Sequence, residues 1–349
     1  MRVAVALGAG GVVGGAWLAG AMAALASGTG WSPVTADVLI GTSAGSVVAA
    51  FLAAGVAPRR LLGDAAAAAP EEGTEAASGW LHELTRPEAY RFPWRLVTLR
   101  PGSIELVRRA LRERAPSRAI SGLVPPGAVP TTVIETAVRR VVADGWAPHE
   151  ACWIVACDYR TGERVVFGRD GAPRTSLATA VAASCAIPGF FRPVPVAGRL
   201  YVDGGLRSMS NLDLLAGQGL DLVVALSPMS THAHPRSRNP WVQVAAAFRR
   251  RRARQVAAEV ARLRREGTEV MLLEPVEADL AAMGPNVMDG VRAARVAEVA
   301  RATTRAQLTS PSLRHLADRL RRMARHHHPG RETRRPSPSA AGFDRGRGA

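Results

Sequence analysis

A serine flanked by glycines constrains the fold of this chain more than any other feature. The pentapeptide Gly41-Thr42-Ser43-Ala44-Gly45 follows an apolar run at Asp37–Ile40 and precedes a predicted helix of small residues at Ser46–Ala54. Such spacing suits a sharp strand-to-helix turn, which leaves no room for neighbouring side chains. The hydroxyl would project above a sheet at a helix N-terminus, where developing negative charge is stabilised. We interpret Ser43 as a nucleophile supported by the two glycines; an N-capping serine is the alternative.

A second glycine-rich segment follows the first predicted strand. Residues 2–7 alternate as a short strand, Gly8-Ala9-Gly10-Gly11-Val12-Val13-Gly14 comes next, and a helix is predicted at Ala16–Leu25. Consecutive backbone N–H groups without obstructing side chains are what an oxyanion hole requires. A dinucleotide-binding loop is the alternative. The glycines do not have G-x-G-x-x-G spacing, however, and Asp37 opens the second strand where that motif needs an acidic residue at its end.

A carboxylate follows a later strand in the same manner. Asp203-Gly204-Gly205 comes directly after the predicted strand Arg199–Val202, and its glycines would let another backbone approach closely. An ordinary turn has the same composition. The segment Ala183–Pro193, with the sequence A-S-C-A-I-P-G-F-F-R-P, lies just before this strand.

Taken together, these segments resemble the patatin-like phospholipases, which combine a glycine-rich oxyanion loop, a G-x-S-x-G serine and a D-G-G/A aspartate in this order. The resemblance covers roughly residues 1–290. It implies an α/β/α fold, a three-layer sheet wrapped by helices, and a catalytic dyad with Ser43 as nucleophile and Asp203 as base. It also implies that the N–H groups around Gly10, Gly11 and Val12 bind the oxyanion.

The activity that the resemblance implies is hydrolysis of fatty-acyl esters of lipids, with no cofactor or metal. Because an aspartate of ordinary pKa, about 3.9, is a poor base near neutrality, we expect a partly buried site. An acyltransferase on the same dyad and an α/β-hydrolase with a Ser–Asp–His triad are the alternatives. His232 and His234 have the chain order of a triad. They lie in a polar, Pro-terminated loop, so we predict that neither is required.

Two positions depart from the family loop, which usually has glycine where Ala9 stands and a basic residue where Val13 stands. The hole is therefore expected to be less positive, which disfavours an anionic phospholipid and leaves neutral acyl esters open. Asn211 is predicted either to orient the aspartate loop or to cap a helix.

Positive charge is concentrated in the C-terminal third. The net charge is +16, no lysine occurs, and from Trp241 onward there are 22 arginines against 11 acidic residues. In the predicted basic helix, residues 241–266, Val242, Val244 and Phe248 precede the arginine run, a pattern that predicts peripheral contact with an anionic membrane. A solvated basic face is the alternative, and nucleic acid is a less favoured partner.

The organisation predicted is a catalytic domain over residues 1–325, with a cap-like insert at about 57–130, and a disordered basic tail at 326–349. Alternating strands and helices predict a largely parallel sheet. Further strands are predicted at 152–156, 164–167, 222–226 and 268–273. Three cysteines without a CxxC pair indicate core residues in a reducing compartment.

Targeting signals are not predicted. Only Arg2 precedes the apolar N-terminal region, and glycines interrupt it, which indicates a loop rather than a signal sequence. No stretch reaches the roughly 18 to 20 uninterrupted apolar residues of a membrane span. We expect a cytoplasmic protein, with or without peripheral membrane attachment.

Overall fold

The structure is a computed structural model, and it describes residues 1–62, Leu84, 102–113 and 115–327. Much of the predicted cap-like insert and all but the start of the predicted disordered tail lie outside these residues.

Five parallel strands form the centre of an eight-stranded sheet. Their spatial order is β3 (Cys152–Asp158), β2 (Val38–Thr42), β1 (Val3–Leu7), β7 (Leu222–Leu226) and β8 (Glu269–Leu273). β1, β2, β3 and β7 are buried at every position. Continuous apolar strands of this kind are typical of parallel sheets covered on both faces.

The sheet has an antiparallel edge around β3, which differs from the largely parallel sheet predicted. β4 (Arg164–Phe167) and β6 (Arg199–Asp203) both pair antiparallel with β3, and β5 (Val194–Val196) pairs antiparallel with β6. Short links account for two of these pairs, because those between β3 and β4 and between β5 and β6 leave no room for a crossover helix, whereas β3 and β6 are far apart in the chain. The eight-stranded sheet is therefore mixed.

Helices cover both faces and give the three layers predicted. They are α1 (Gly11–Thr29), α2 (Ala44–Ala53), α3 (Ile104–Arg112), α4 (Pro116–Leu123), α5 (Thr132–Arg139), α6 (Leu177–Cys185), α7 (Pro240–Arg265), α8 (Glu277–Met283), α9 (Ala293–Thr309) and α10 (Arg314–His327). Residues of β1 alternate between two cores: Val3 and Val5 pack with α1, α2 and α6, whereas Ala4 packs with α7. This alternation is what a strand between two helical layers requires.

Helix α1 begins at Gly11, so the glycine loop is shorter than predicted. By length and composition alone, α1 is apolar enough to cross a membrane, contrary to the expectation that glycines interrupt the segment. It is mostly buried and packs against α9, where a Cβ at Gly20 would overlap the carbonyl of Ala297. The glycine at this position thus permits close helix contact, and α1 is a core helix.

Two further outcomes concern the core. The three cysteines are free and buried, as predicted. Helix α10 was not predicted; Leu316 and Leu320 on one of its faces are buried in the main core, while the arginines around them obscure the apolar pattern in the sequence.

Candidate active site

Ser43 lies at a strained turn between β2 and α2. Its φ is 54° and its ψ −124°, a backbone conformation that is rare outside glycine. A Cβ at Gly45 would overlap the carbonyl of Leu7, so only glycine lets α2 start this close to β1. In the described structure the Ser43 side chain makes no capping hydrogen bond to α2, which does not support the alternative of an N-capping serine.

Two buried serines hold the backbone of Ser43. The Ser184 hydroxyl accepts a hydrogen bond from the Ser43 N–H at 2.8 Å and donates to the carbonyl of Val155 in β3 at 2.6 Å. The Ser46 hydroxyl donates to the Ser43 carbonyl at 2.6 Å. Sequence reasoning assigned neither a role; Ser184 lies in the A-S-C-A-I-P segment, which was the only signal for it.

Asp203 reaches the same level of the sheet from the antiparallel edge. It pairs with Ala156 of β3, while Thr42, the neighbour of Ser43, pairs with the adjacent Val155. β3 extends beyond its pairing with β2, and β6 pairs with this extension. The C-terminal end of β6 therefore meets the C-terminal end of β2, although β6 runs antiparallel to β3. At Gly204 a Cβ would overlap the carbonyl of Val155, which explains one glycine of the motif.

The Asp203 carboxylate is buried and hydrogen-bonded. It accepts a hydrogen bond from the N–H of Gly205 at 2.7 Å, and the Ser43 side chain lies beside it in the same cavity. Burial raises the pKa of Asp203 to about 6, against the opposing effect of the Ser43 side chain and the Gly205 N–H. The expectation of a partly buried carboxylate with a raised pKa therefore agrees with the geometry.

The glycine loop leaves a set of N–H groups pointing away from protein acceptors. Gly8 donates to Leu226 at 2.9 Å and Ala9 to Met209 at 2.8 Å, while Val13 donates to Val287 at 3.1 Å and Gly14 to Gly10 at 3.0 Å. Between them, Gly10, Gly11 and Val12 donate to no acceptor within the described part of the chain. N–H groups of a first helical turn have no intrahelical partner, so these three are available to an anion.

An open cavity of about 590 Å³ joins these groups. Ser43, Asp203, Gly10 and Gly11 line it on one side. The rest of its wall is mostly apolar and includes Ile120, Val124, Ile187, Leu206, Met209, Met229, Trp241, Val244, Phe248, Pro285 and Val287.

The two histidines considered for a triad are not in this cavity. The His232 side chain is 72% exposed, and its Nε2 lies 3.8 Å from a carboxylate oxygen of Glu274. His234 is also exposed. No histidine appears among the described residues that line the cavity.

Comparison with known proteins bears on this arrangement. The family model of the patatin-like phospholipases matches residues 5–216, a segment that holds the glycine loop, Ser43 and Asp203. The chain belongs to the patatin-like phospholipase family.

Curated relatives of this patatin-like chain include uncharacterized NTE family proteins of Mycobacterium bovis and of two strains of Mycobacterium tuberculosis. Each is 36% identical over 104 residues. The matched segment covers 30% of this chain and 27% of each relative.

Asn211 connects the aspartate loop of the patatin-like fold to β2. Its φ is 51°, and its side-chain amide donates to the Thr42 hydroxyl at 3.0 Å and to the Ser208 carbonyl at 2.7 Å. Its Oδ1 accepts from Arg164 at 3.1 Å. The side chain does not cap the short helix that follows it. Of the two roles predicted for Asn211, this geometry supports the one in which it orients the loop.

Helix α7 lies outside the segment matched by the patatin-like family model, yet it forms part of the cavity wall. Residues one turn apart on its N-terminal half, among them Trp241, Ala245 and Arg249, face the cavity. Sequence reasoning treated this helix as a basic surface and did not place it at the site.

A buried carboxylate fixes α7 to the aspartate loop. Glu259 accepts hydrogen bonds from the Ser208 hydroxyl at 2.7 Å, the Ser210 hydroxyl at 2.5 Å and the Leu212 N–H at 3.0 Å. Burial raises the pKa of Glu259, and these three donors lower it. The wall of the cavity and the loop that follows Asp203 are therefore connected.

Proposed function

We propose that this chain hydrolyses fatty-acyl esters of lipids, with Ser43 as nucleophile and Asp203 as general base. The observation that carries the proposal is the juxtaposition of the Ser43 side chain and the buried Asp203 carboxylate, which line the same apolar cavity and interact closely enough for Ser43 to lower the pKa of Asp203. Membership of the patatin-like family supports a lipid ester as substrate. The apolar wall suits an acyl chain, because burial of apolar surface supplies binding free energy.

The catalytic cycle follows from these positions. Asp203 accepts the proton of Ser43 as the hydroxyl oxygen attacks the ester carbonyl, and the N–H groups of Gly10, Gly11 and Val12 stabilise the oxyanion. The tetrahedral intermediate then expels the alcohol, which takes the proton from Asp203. In the second half, water loses a proton to Asp203 and attacks the acyl-serine, which releases the fatty acid and returns the proton to Ser43. A base of pKa about 6 is mostly ionised at neutral pH, so it can begin this cycle.

A fluorophosphonate probe tests the proposal. The probe should modify Ser43, and Ser43→Ala should abolish both labelling and turnover. Asp203→Asn should lose about a thousandfold or more in kcat, since an amide cannot accept the proton, whereas His232→Ala and His234→Ala should stay within a few fold of the parent. Labelling that persists in Ser43→Ala, or a loss of about a thousandfold in either histidine variant, would contradict the dyad.

Product analysis with the same purified protein identifies the acceptor of the acyl group. Release of free fatty acid in the absence of an added alcohol is expected for a hydrolase. Acyl transfer to an added alcohol without release in water alone would instead identify an acyltransferase on the same dyad.

We further propose that the mouth of the cavity contacts a lipid surface. Trp241 is 70% exposed, and Val244, Phe248 and Ile120 are also exposed around the opening. Arg251 and Arg254 are exposed on the same helix. The second half of α7 packs its apolar face on the sheet through Val256, Val260 and Leu263, so the exposed apolar residues of this helix lie in its first half.

Vesicle sedimentation tests this contact. The protein should bind anionic vesicles more than neutral ones at low salt, and added salt should reduce the difference. Trp241→Ala with Phe248→Ala should weaken binding to both kinds of vesicle, because the substitutions remove apolar surface. Equal binding of parent and variant would contradict a role for the exposed apolar residues at the mouth of the cavity.

A further inference from the structure

Arg249 is a buried cation without a counter-ion at the catalytic cavity. Its side chain lies in the wall of the cavity that contains Ser43, and the residue is 3% exposed. Its Nε and one terminal nitrogen, Nη2, are buried and have no hydrogen-bond partner among the described residues. No ion pair involves Arg249 in the described ranges.

This arrangement is costly unless a ligand completes it. An unpaired charge in the interior costs several kcal/mol, and a guanidinium does not escape that cost by losing its proton under ordinary conditions. Burial lowers the pKa of Arg249, but its ordinary value is so high that the group remains charged near neutrality. By contrast, the largely buried side chains of Arg118 and Arg164 each form an ion pair at 2.7 Å or less.

Arg252 adds a second guanidinium to the same wall. It lies three residues further along α7, lines the cavity and stacks on the Phe248 ring, with 4.8 Å from its Cζ to the ring centroid. Its Nε is buried without a hydrogen-bond partner in the described structure, and its hydrogen bond from Nη1 to Gln255 is long at 3.4 Å. Two adjacent turns of α7 thus place guanidinium side chains in the wall of one cavity.

Protein carboxylates do not neutralise this pair. Asp203 is the one acidic residue among the described residues of the cavity wall; it accepts a hydrogen bond from Gly205, and Ser43 lowers its pKa. Glu259, on the same helix, is engaged by Ser208, Ser210 and Leu212. The wall therefore has excess positive charge beside the position where an ester is cleaved.

We propose that Arg249, together with Arg252, is the specificity-determining site for the phosphate of an acyl ester substrate. The proposal rests on the proposed hydrolase function of Ser43. A guanidinium fork matches the oxygens of a phosphate, and two of them match the charge of a phosphate monoester. Since the same cavity has an apolar wall, it suits a ligand that carries both an acyl chain and a phosphate.

This assignment reverses the expectation drawn from the glycine loop. Because Val13 stands where the family usually has a basic residue, the sequence predicted a less positive hole, which disfavoured an anionic phospholipid and left neutral esters open. Val13 is fully buried in the core, and its N–H is bonded to Val287. Positive charge at the cavity is supplied from α7 instead.

A matched pair of substrates tests the site. Kinetics are compared for a lysophosphatidate and for the monoacylglycerol with the same acyl chain. Arg249→Met should raise KM for the lysophosphatidate by about tenfold or more, the factor for loss of one charge-assisted contact, and should leave the monoacylglycerol within about twofold. Arg265→Met, at an exposed position at the C-terminal end of the same helix and outside the cavity wall, should change the kinetics of neither substrate. An equal loss for both substrates, or no loss for either, would overturn the assignment.

Thermal unfolding separates ligand recognition from a structural role. Without ligand, Arg249→Met should be at least as stable as the parent, since an apolar side chain replaces an unpaired buried charge. A clear fall in Tm would show that Arg249 stabilises the fold and would overturn the proposal. Arg249→Lys keeps the charge without the fork and should recover only part of the lysophosphatidate preference.

Calorimetry on the Ser43→Ala variant makes the test independent of hydrolysis. Lysophosphatidate should bind this variant, and the additional change Arg249→Met should weaken binding by about tenfold or more. If binding depends on Arg249 but the parent protein does not hydrolyse esters, the phosphate site is supported and the proposed hydrolase function is contradicted. Inorganic phosphate is the comparison ligand: if it alone responds to Arg249→Met, the site binds a free anion and the headgroup assignment fails.

Discussion

The Ser184 hydroxyl accepts the N–H of Ser43 and donates to the carbonyl of Val155, so it joins the serine turn directly to β3. Ser184 is fully buried, which leaves no water to replace it. The strained backbone of Ser43 is held by this bond on one side and by Ser46 on the other. A conformation of this kind costs about 1–3 kcal/mol and persists only when its surroundings determine it.

Ser184→Ala should therefore lower kcat about tenfold or more with little change in KM. The substitution leaves the Ser43 N–H buried without an acceptor, which costs about 1–3 kcal/mol and favours relaxation of the turn. Ser46→Ala is the matched control, because the Ser43 carbonyl keeps its hydrogen bond from the Ser46 N–H at 2.8 Å. Steady-state kinetics on both variants check the prediction, and equal kcat values would contradict it.

The pH dependence of turnover should have an acid limb near pH 6, the pKa of Asp203. Only the ionised carboxylate accepts a proton, so kcat/KM should fall about tenfold per pH unit below that value and level off above it. His232→Ala and His234→Ala should leave the limb in place. A limb that moves or disappears in either histidine variant would assign it to an imidazole.

Asp203→Asn should alter how stability depends on pH. Because the pKa of Asp203 is raised in the folded state, from 3.8 to about 6, the folded parent holds a proton that the unfolded chain has released between these values. The free energy of unfolding of the parent should fall as pH rises through this window, by at most about 3 kcal/mol. Asp203→Asn lacks this contribution. The free energy of unfolding of the variant minus that of the parent should therefore be larger at pH 8 than at pH 3. Urea unfolding at the two pH values measures the difference, and parallel behaviour would show that Asp203 is not perturbed.

Gly20→Ala and Gly15→Ala should have opposite effects on stability, although both lie within α1. A Cβ at Gly20 meets the backbone of Ala297, and overpacking of this kind costs about 1–3 kcal/mol or more. At Gly15 the nearest atom, the Cβ of Ala44, is 3.7 Å away, so the variant should gain up to about 1 kcal/mol from helix propensity. Urea midpoints compare them directly, and a similar loss in both would indicate that helix contact is not the determinant.

The elements with short-range signals could be predicted from the sequence. β4 and β7 have the bounds that their apolar runs indicated, and the turn at Ser43 was evident from its flanking glycines. The antiparallel edge was not predicted, because the direction of β6 depends on which strand it meets. The same limit applies to Ser184, whose contacts with Ser43 and Val155 join segments far apart in the chain.

The burial of charged residues is the feature that the sequence predicts least well. Arg249 opens a run of four arginines, and nothing local distinguishes it from the exposed Arg251. Its burial follows from the rotation of α7 about its own axis, which is set by packing of Val256 and Val260 on the sheet. Glu259 likewise resembles an exposed helical residue in the sequence. Its burial depends on contacts with Ser208 and Ser210, which are far from it in the chain.

The position of β1 between β2 and β7 has a practical consequence for truncated chains and chimaeras. The family-matched segment ends at residue 216, before β7, β8 and α7. A fragment cut there would expose the hydrogen-bonding edge of β1 along its whole length, together with the apolar face that α7 covers, and would be prone to aggregate. Ser43, Asp203 and the glycine loop therefore cannot be separated from the rest of the sheet: a shortened chain or a chimaera that keeps them must extend at least through β8.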